Sequence, residues 1–159
     1  MAPVMLALAV SATLAGTVAI PFSAALAQAQ AGRPQTGLNV TPLTIKTRDG
    51  KRHVYKVELA QTPSQQAHGM MFRTSVRPKT GMLFLMQPPR PASFWMRNTL
   101  VSLDLVFIGA NGKVRNIIGG AVPLSDAPLS SVGPVAAVLE LGAGEAERIG
   151  LRPGDPVLW

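Results

Sequence analysis

The chain has 159 residues, with 15 Lys and Arg against 8 Asp and Glu, a formal net charge of +7, and no cysteine. That length is the size of one domain. The lack of cysteine excludes disulfides, thiolate metal sites and cysteine nucleophiles, so packing alone must hold the fold.

The first 27 residues carry no charged side chain. They are rich in Ala, Val and Leu and end in Ala25-Leu26-Ala27, which fits the small-residue pattern of a signal-peptide cleavage site. The n-region lacks Lys and Arg, and the apolar run is long enough to span a bilayer, so an uncleaved anchor is the alternative. The organisation expected is a signal peptide over 1–27, a flexible linker over 28–42 and a single β-rich domain over 43–159. Such a protein is exported, to the periplasm or the extracellular space. A basic domain there meets anionic glycans, lipid head groups or envelope proteins rather than nucleic acid. Membrane contact is expected only through an uncleaved N-terminal segment.

Asp49-Gly50 marks a first β-hairpin. A three-residue loop, Arg48-Asp49-Gly50, gives Gly50 the left-handed position. That register puts Leu43, Ile45, His53, Tyr55, Val57 and Leu59 on one face and Lys46, Arg52, Lys56 and Glu58 on the other. A slip by one residue would bury the charges. Thr62-Pro63-Ser64-Gln65 then reads as a capping box opening a short helix to about Met71, with Ala67, Met70 and Met71 toward the sheet. Gly69 in that helix implies a close backbone approach.

Residues 81–86 and 93–98 read as strands, with the prolines between them at a turn. Asn111-Gly112 marks a second hairpin, between 103–110 and 114–123. Another strand follows over 134–144. The EAERIG segment makes a short helix ended by Gly150, and a last strand closes the chain. The fold class is α+β: a mostly antiparallel, strongly curled β-sheet or small barrel of seven to eight strands with two short helices.

Arg97, Asn98 and Asp104 interrupt the mainly apolar stretch FWMRNTLVSLDLVF, residues 94–107. On continuous strands Trp95, Arg97 and Thr99 would share one face, and Asp104 would lie on an otherwise apolar face. Glu140 is placed likewise beside Val138. A buried charge is costly unless paired. Arg97 is therefore expected to pair with Asp104 or Glu140, either as a lock on strand register or as part of a polar pocket. Asn98 and Thr99 would bond backbone groups at a bend.

The segments GMMFRT, GMLFLM, FWMRNTLVSLDLVFIGANGKV and VLELGAGEAERIGLRPGD, in this order and spacing, resemble the domain of unknown function 192 family, also called the uncharacterised ancient conserved region family. The resemblance covers about Val57 to Val157. It implies a small β-rich protein, often exported, and no established activity. The motif positions include Gly69, Met70, Arg73, Gly81, Trp95, Arg97, Asn98, Asp104 and Glu140. The AERIGLRPGDPV segment is similar to the end of a PDZ domain, but the chain lacks the carboxylate-binding loop of that fold.

The sequence holds two histidines and neither a G-x-S-x-G nor an H-E-x-x-H motif. A non-catalytic binding module for an anionic envelope ligand or glycan is the leading expectation, with candidate ligand-binding residues Arg73, Trp95, Arg97, Asn98, Asp104 and Glu140. The alternative is a small glycan-directed hydrolase using Asp104 and Glu140 as acid and base. His68 with Met70, Met71, Met82, Met86 and Met96 forms a soft-ligand set suited to Cu(I), but methionine is equally a core filler, so no metal or cofactor is expected.

Overall fold

The structure, a computed structural model, describes residues 32–159. The signal segment expected over 1–27 lies outside them. Chain order among the described residues is β1 (Val40–Lys46), β2 (Arg52–Ala60), α1 (Pro63–His68), β3 (Thr80–Arg90), β4 (Ser93–Phe94), β5 (Leu103–Ile108), β6 (Val114–Ala121), β7 (Leu129–Ser130), β8 (Val135–Gly142), α2 (Glu145–Arg148) and β9 (Val157–Leu158).

The first hairpin takes the expected register, with Leu43 opposite Tyr55 and Lys46 opposite Arg52. Gly50 has φ +81°, where an L side chain would be strained. Leu43, Ile45, Tyr55 and Val57 are buried, while Lys46, Arg52 and Lys56 face solvent. The packed fold begins earlier than residue 43. β1 starts at Val40, Leu38 packs on the core, and the Gln35 amide donates to the Gln65 and Gly69 carbonyls.

Thr62 caps α1 with both halves of the capping box. The helix stops at His68 rather than near Met71, because Gly69 turns to φ +50°. A Cβ there would lie 3.3 Å from the Phe84 ring, which is the close approach expected of this glycine. Ala67 is exposed, contrary to expectation. A helix this short anchors through Met70, just past its end, and through Gln66, whose amide donates to the Ala60 and Leu85 carbonyls.

The crossover through α1 makes β3 parallel to β2, with Lys56 opposite Thr80; every other pairing in the sheets is antiparallel. The strand β3 runs on through the prolines instead of turning before them. Its register with β8 shifts between Leu85 and Arg90, and prolines are tolerated at such an irregularity because no ladder N–H is needed there.

The main sheet has the order β6-β5-β8-β3-β2-β1-β9, and β4 pairs with β7 in a separate ribbon. The sheet curls into a half-barrel, and a bridge between Lys113 and Pro156 ties β9's flank to the start of β6. Two cores form on opposite faces. One fills the inside of the curl and draws on Leu43, Tyr55, Leu83, Val106, Leu139, Leu141 and Val157. The other lies outside β3, β5 and β8, where Met82, Phe84, Leu105 and Val138 are covered by Met70, Met96 and the β4–β7 ribbon.

Candidate functional site

Of the FWMRNT stretch only Phe94 is in a strand, as the second residue of β4. The chain then turns, and Asn98 takes φ +56°. Burial still alternates as far as Arg97, with Met96 buried and Trp95 and Arg97 exposed, and the alternation breaks at this turn, where Asn98 is exposed and Thr99 buried. Arg97 does not pair with Asp104 or Glu140. Its Nε donates to Asp126 Oδ1 at 2.8 Å, and its guanidinium lies 4.1 Å from the Trp95 ring centroid. The two side chains of that ion pair are 49% and 61% exposed, so it is a surface feature rather than a buried register lock. The Asn98 carbonyl accepts from the Phe72 N–H at 2.8 Å, which joins this turn to the crossover, and of the side-chain bonds expected at a bend the Thr99 hydroxyl makes one, donating to the Arg97 carbonyl at 3.4 Å.

Asp104 is 1% exposed and is satisfied entirely by backbone N–H groups. Oδ1 accepts from Gly120 at 2.9 Å and Gly144 at 3.1 Å, and Oδ2 accepts from Ala146 at 2.8 Å. The carboxylate thus ties the bent end of β6 to the first turn of α2. These bonds satisfy the buried carboxyl and offset the cost of its burial.

In the β5–β8 pairing Asp104 is opposite Leu141 and Leu105 is opposite Glu140. Side chains alternate across a sheet, so Asp104 joins Leu141 on the inner face and Glu140 joins Leu105 on the outer one. The two carboxyls line different cavities. The acid–base pair expected for a hydrolase is not formed.

Glu140 is only 5% exposed, and its Oε2 has no hydrogen-bond partner among the described residues. Burial pushes its pKa up to about 8, against a smaller lowering by the charge of Arg73. The carboxyl is therefore mostly neutral at pH 7. Arg73 is the companion orphan. Its Nη1 pairs with Glu58, its Nη2 donates to the Gln35 carbonyl at 3.3 Å, and its buried Nε has no partner.

Glu140 closes a cavity of ≈560 Å³. Met70, Met71, Met86, Phe84, Phe94 and Trp95 supply most of the wall, with Gln66 and Thr99 as polar points. Phe84 and Phe94 meet edge to face at 5.0 Å. Arg90, His68 and Asp126 stand at the lining as well. Of the residues expected at a site, Trp95 and Glu140 come together here. Arg97 borders it through its stack on Trp95, and Arg73 stands behind it within electrostatic reach of Glu140. Asn98 contributes an exposed amide near the Met71 sulfur at 3.8 Å, and Asp104 is elsewhere. Sequence reasoning missed Gln66, Phe84, Phe94 and Asp126 as lining residues. The signal for Phe84 was Gly69, whose need for space pointed at a close neighbour. Asp126 sits in a loop and gave no pattern at all.

The sequence profile of the family known as domain of unknown function 192 (DUF192, Uncharacterized ACR) matches residues 44–159, and the chain belongs to that family. It is similar to a crystal structure of a protein of unknown function from Novosphingobium aromaticivorans DSM 12444. The two are 46% identical with a TM-score of 0.76, over 82% of this chain and 96% of that one. It is also similar to a Sinorhizobium meliloti 1021 protein provisionally named a transcription regulator. There the identity is 41% and the TM-score 0.76, over 78% of this chain and 96% of that one. No curated protein matches the chain.

Proposed function

We propose that the domain is a non-catalytic binding module whose site is the cavity closed by Glu140, and that it takes a small apolar molecule with one uncharged polar end. One observation carries this reading: a carboxyl 5% exposed, with an unpartnered oxygen, stands in the lining of a cavity whose wall includes four aromatic or methionine neighbours, Met70, Phe84, Met86 and Phe94. Few buried polar groups lack a partner, and one facing a concave apolar cavity is what a binding site requires. A neutral end group fits better than an anion. Glu58 already balances the Arg73 charge, and Glu140 has no positive charge to offer. Arg90 at the lining has no ion-pair partner among the described residues, so an anionic ligand, expected from the net charge of +7, would be met there and not at Glu140.

Export belongs to the same proposal and rests on the charge-free first 27 residues. Amino-terminal sequencing of the protein recovered from outside the cytoplasm should begin at Gln28. Recovery of the intact chain in the cytoplasm contradicts export.

The ligand reading is tested by titrating p-cresol, toluene and p-toluate into the full chain at neutral pH. The expected order of affinity is p-cresol, toluene, p-toluate, and Glu140→Leu should level the first two. Tightest binding of p-toluate overturns the neutral end group. Failure of all three to bind overturns the cavity as the site.

A further inference from the structure

Beyond the crossover, the outer face of the β1–β2 hairpin is bare, and its side chains fall in three rows. Lys46 stands opposite Arg52. In the next row Thr44 lies between Val54 and Leu158. In the third, Pro42 faces Lys56. Val54 is 55% and Leu158 49% exposed, and the exposed Trp159 follows.

Like charges directly opposite across two strands destabilise a sheet. Among the described residues none of Lys46, Arg52 and Lys56 has an ion-pair partner, while the nearby acids are taken, Asp49 by Lys51 and Glu58 by Arg73. An external anion would relieve that repulsion. The apolar row between the basic ones then selects among anions. A nucleic-acid or glycan strand would leave Val54 and Leu158 against its polar backbone. A bilayer surface offers phosphates to the basic rows and a wet apolar boundary to Val54 and Leu158.

We propose that this face docks on an anionic bilayer surface. The proposal is independent of the cavity and gives the protein a membrane contact through folded residues, whether or not the N-terminal segment is cleaved.

The test is flotation of the full chain with phosphatidylglycerol–phosphatidylcholine vesicles and with phosphatidylcholine vesicles alone. The apolar first 27 residues are common to every variant, so the ratio of the two partition coefficients isolates the face. The wild-type ratio should be about tenfold or more at low salt and collapse at high salt. The combined variant Lys46→Glu, Arg52→Glu, Lys56→Glu should bring it to one. These positions are on the surface, and circular dichroism should show an unchanged fold. Val54→Ser with Leu158→Ser keeps the net charge and should weaken binding to the anionic vesicles several-fold. Equal partition of the wild type into both vesicles overturns the proposal, as does a preference that survives charge reversal. Full binding by the serine variant together with displacement of the vesicles by duplex DNA identifies a polyanion face and overturns it too.

Discussion

Asp104 and Glu140 sit on adjacent paired strands, both buried, and face opposite sides of the sheet. One carboxylate is held by three backbone N–H groups, while one oxygen of the other carboxyl has no partner. The same residue class in the same kind of strand therefore does two jobs. Asp104 joins β6 to α2, and Glu140 is a polar point left for something else.

Asp104→Asn should unfold the domain rather than silence a site. An amide replaces one acceptor oxygen by a donor that would face a backbone N–H. With at least one of the three backbone bonds lost and a buried N–H left facing a donor, the cost is about 3 kcal/mol or more. Denaturant melts of the variant should show this loss. A variant as stable as the wild type would contradict the structural role.

Glu140 makes stability fall as pH rises. Its folded pKa of about 8 lies above its ordinary value of 4.5, so the folded state holds a proton that the unfolded chain releases. The associated stability is fully present below pH 4.5 and is lost as pH rises toward 8. Each pH unit in that window removes up to roughly 1.4 kcal/mol. Melting temperature against pH should slope downward there for the wild type and flatten in Glu140→Gln. Parallel curves would show that the carboxyl is not buried neutral.

Arg97→Ala should leave the melting temperature within about 2 °C of wild type, because exposed ion pairs and cation–π contacts contribute little. If the residue were the buried register lock that its sequence position implied, the variant would not fold. Arg97→Ala is therefore a clean probe of the cavity rim, and any loss of ligand affinity in it is separable from folding.

Gly81→Ala should be severely destabilising, by roughly 3 kcal/mol or more. A Cβ at Gly81 would collide with the Glu140 carbonyl and stand 2.9 Å from Leu141 Cδ2. The obstacle is backbone in a paired strand, so no side-chain rotation relieves it. An alanine variant that melts like the wild type would mean that β3 and β8 do not approach so closely.

The hairpins were legible in the sequence because alternation, turn glycines and the cost of burying lysines act within a few residues of one another. The register of Leu43 on Tyr55 and the Thr62 capping box needed nothing from the rest of the chain. The site was legible in part. Glu140 stood out as a carboxylate in an apolar strand, and Trp95 as an aromatic beside a cation. The partner of Arg97 was misread because the paired strand ends at Phe94 and Asn98 adopts a left-handed conformation, so Arg97 lies in an exposed turn instead of on a strand beside β5 or β8, and composition does not signal that turn. Asp126 and Phe84 reach the cavity by tertiary contacts between elements far apart in sequence, where local pattern carries no information.

The most direct test of the central claim is a carbon-13 NMR titration of the Glu140 carboxyl in the full chain, with and without p-cresol. The account predicts a midpoint near 8 in the free protein and a higher one with p-cresol bound, because the ligand pairs with the neutral carboxyl. A midpoint near 4.5, or one that p-cresol leaves unmoved, would contradict it.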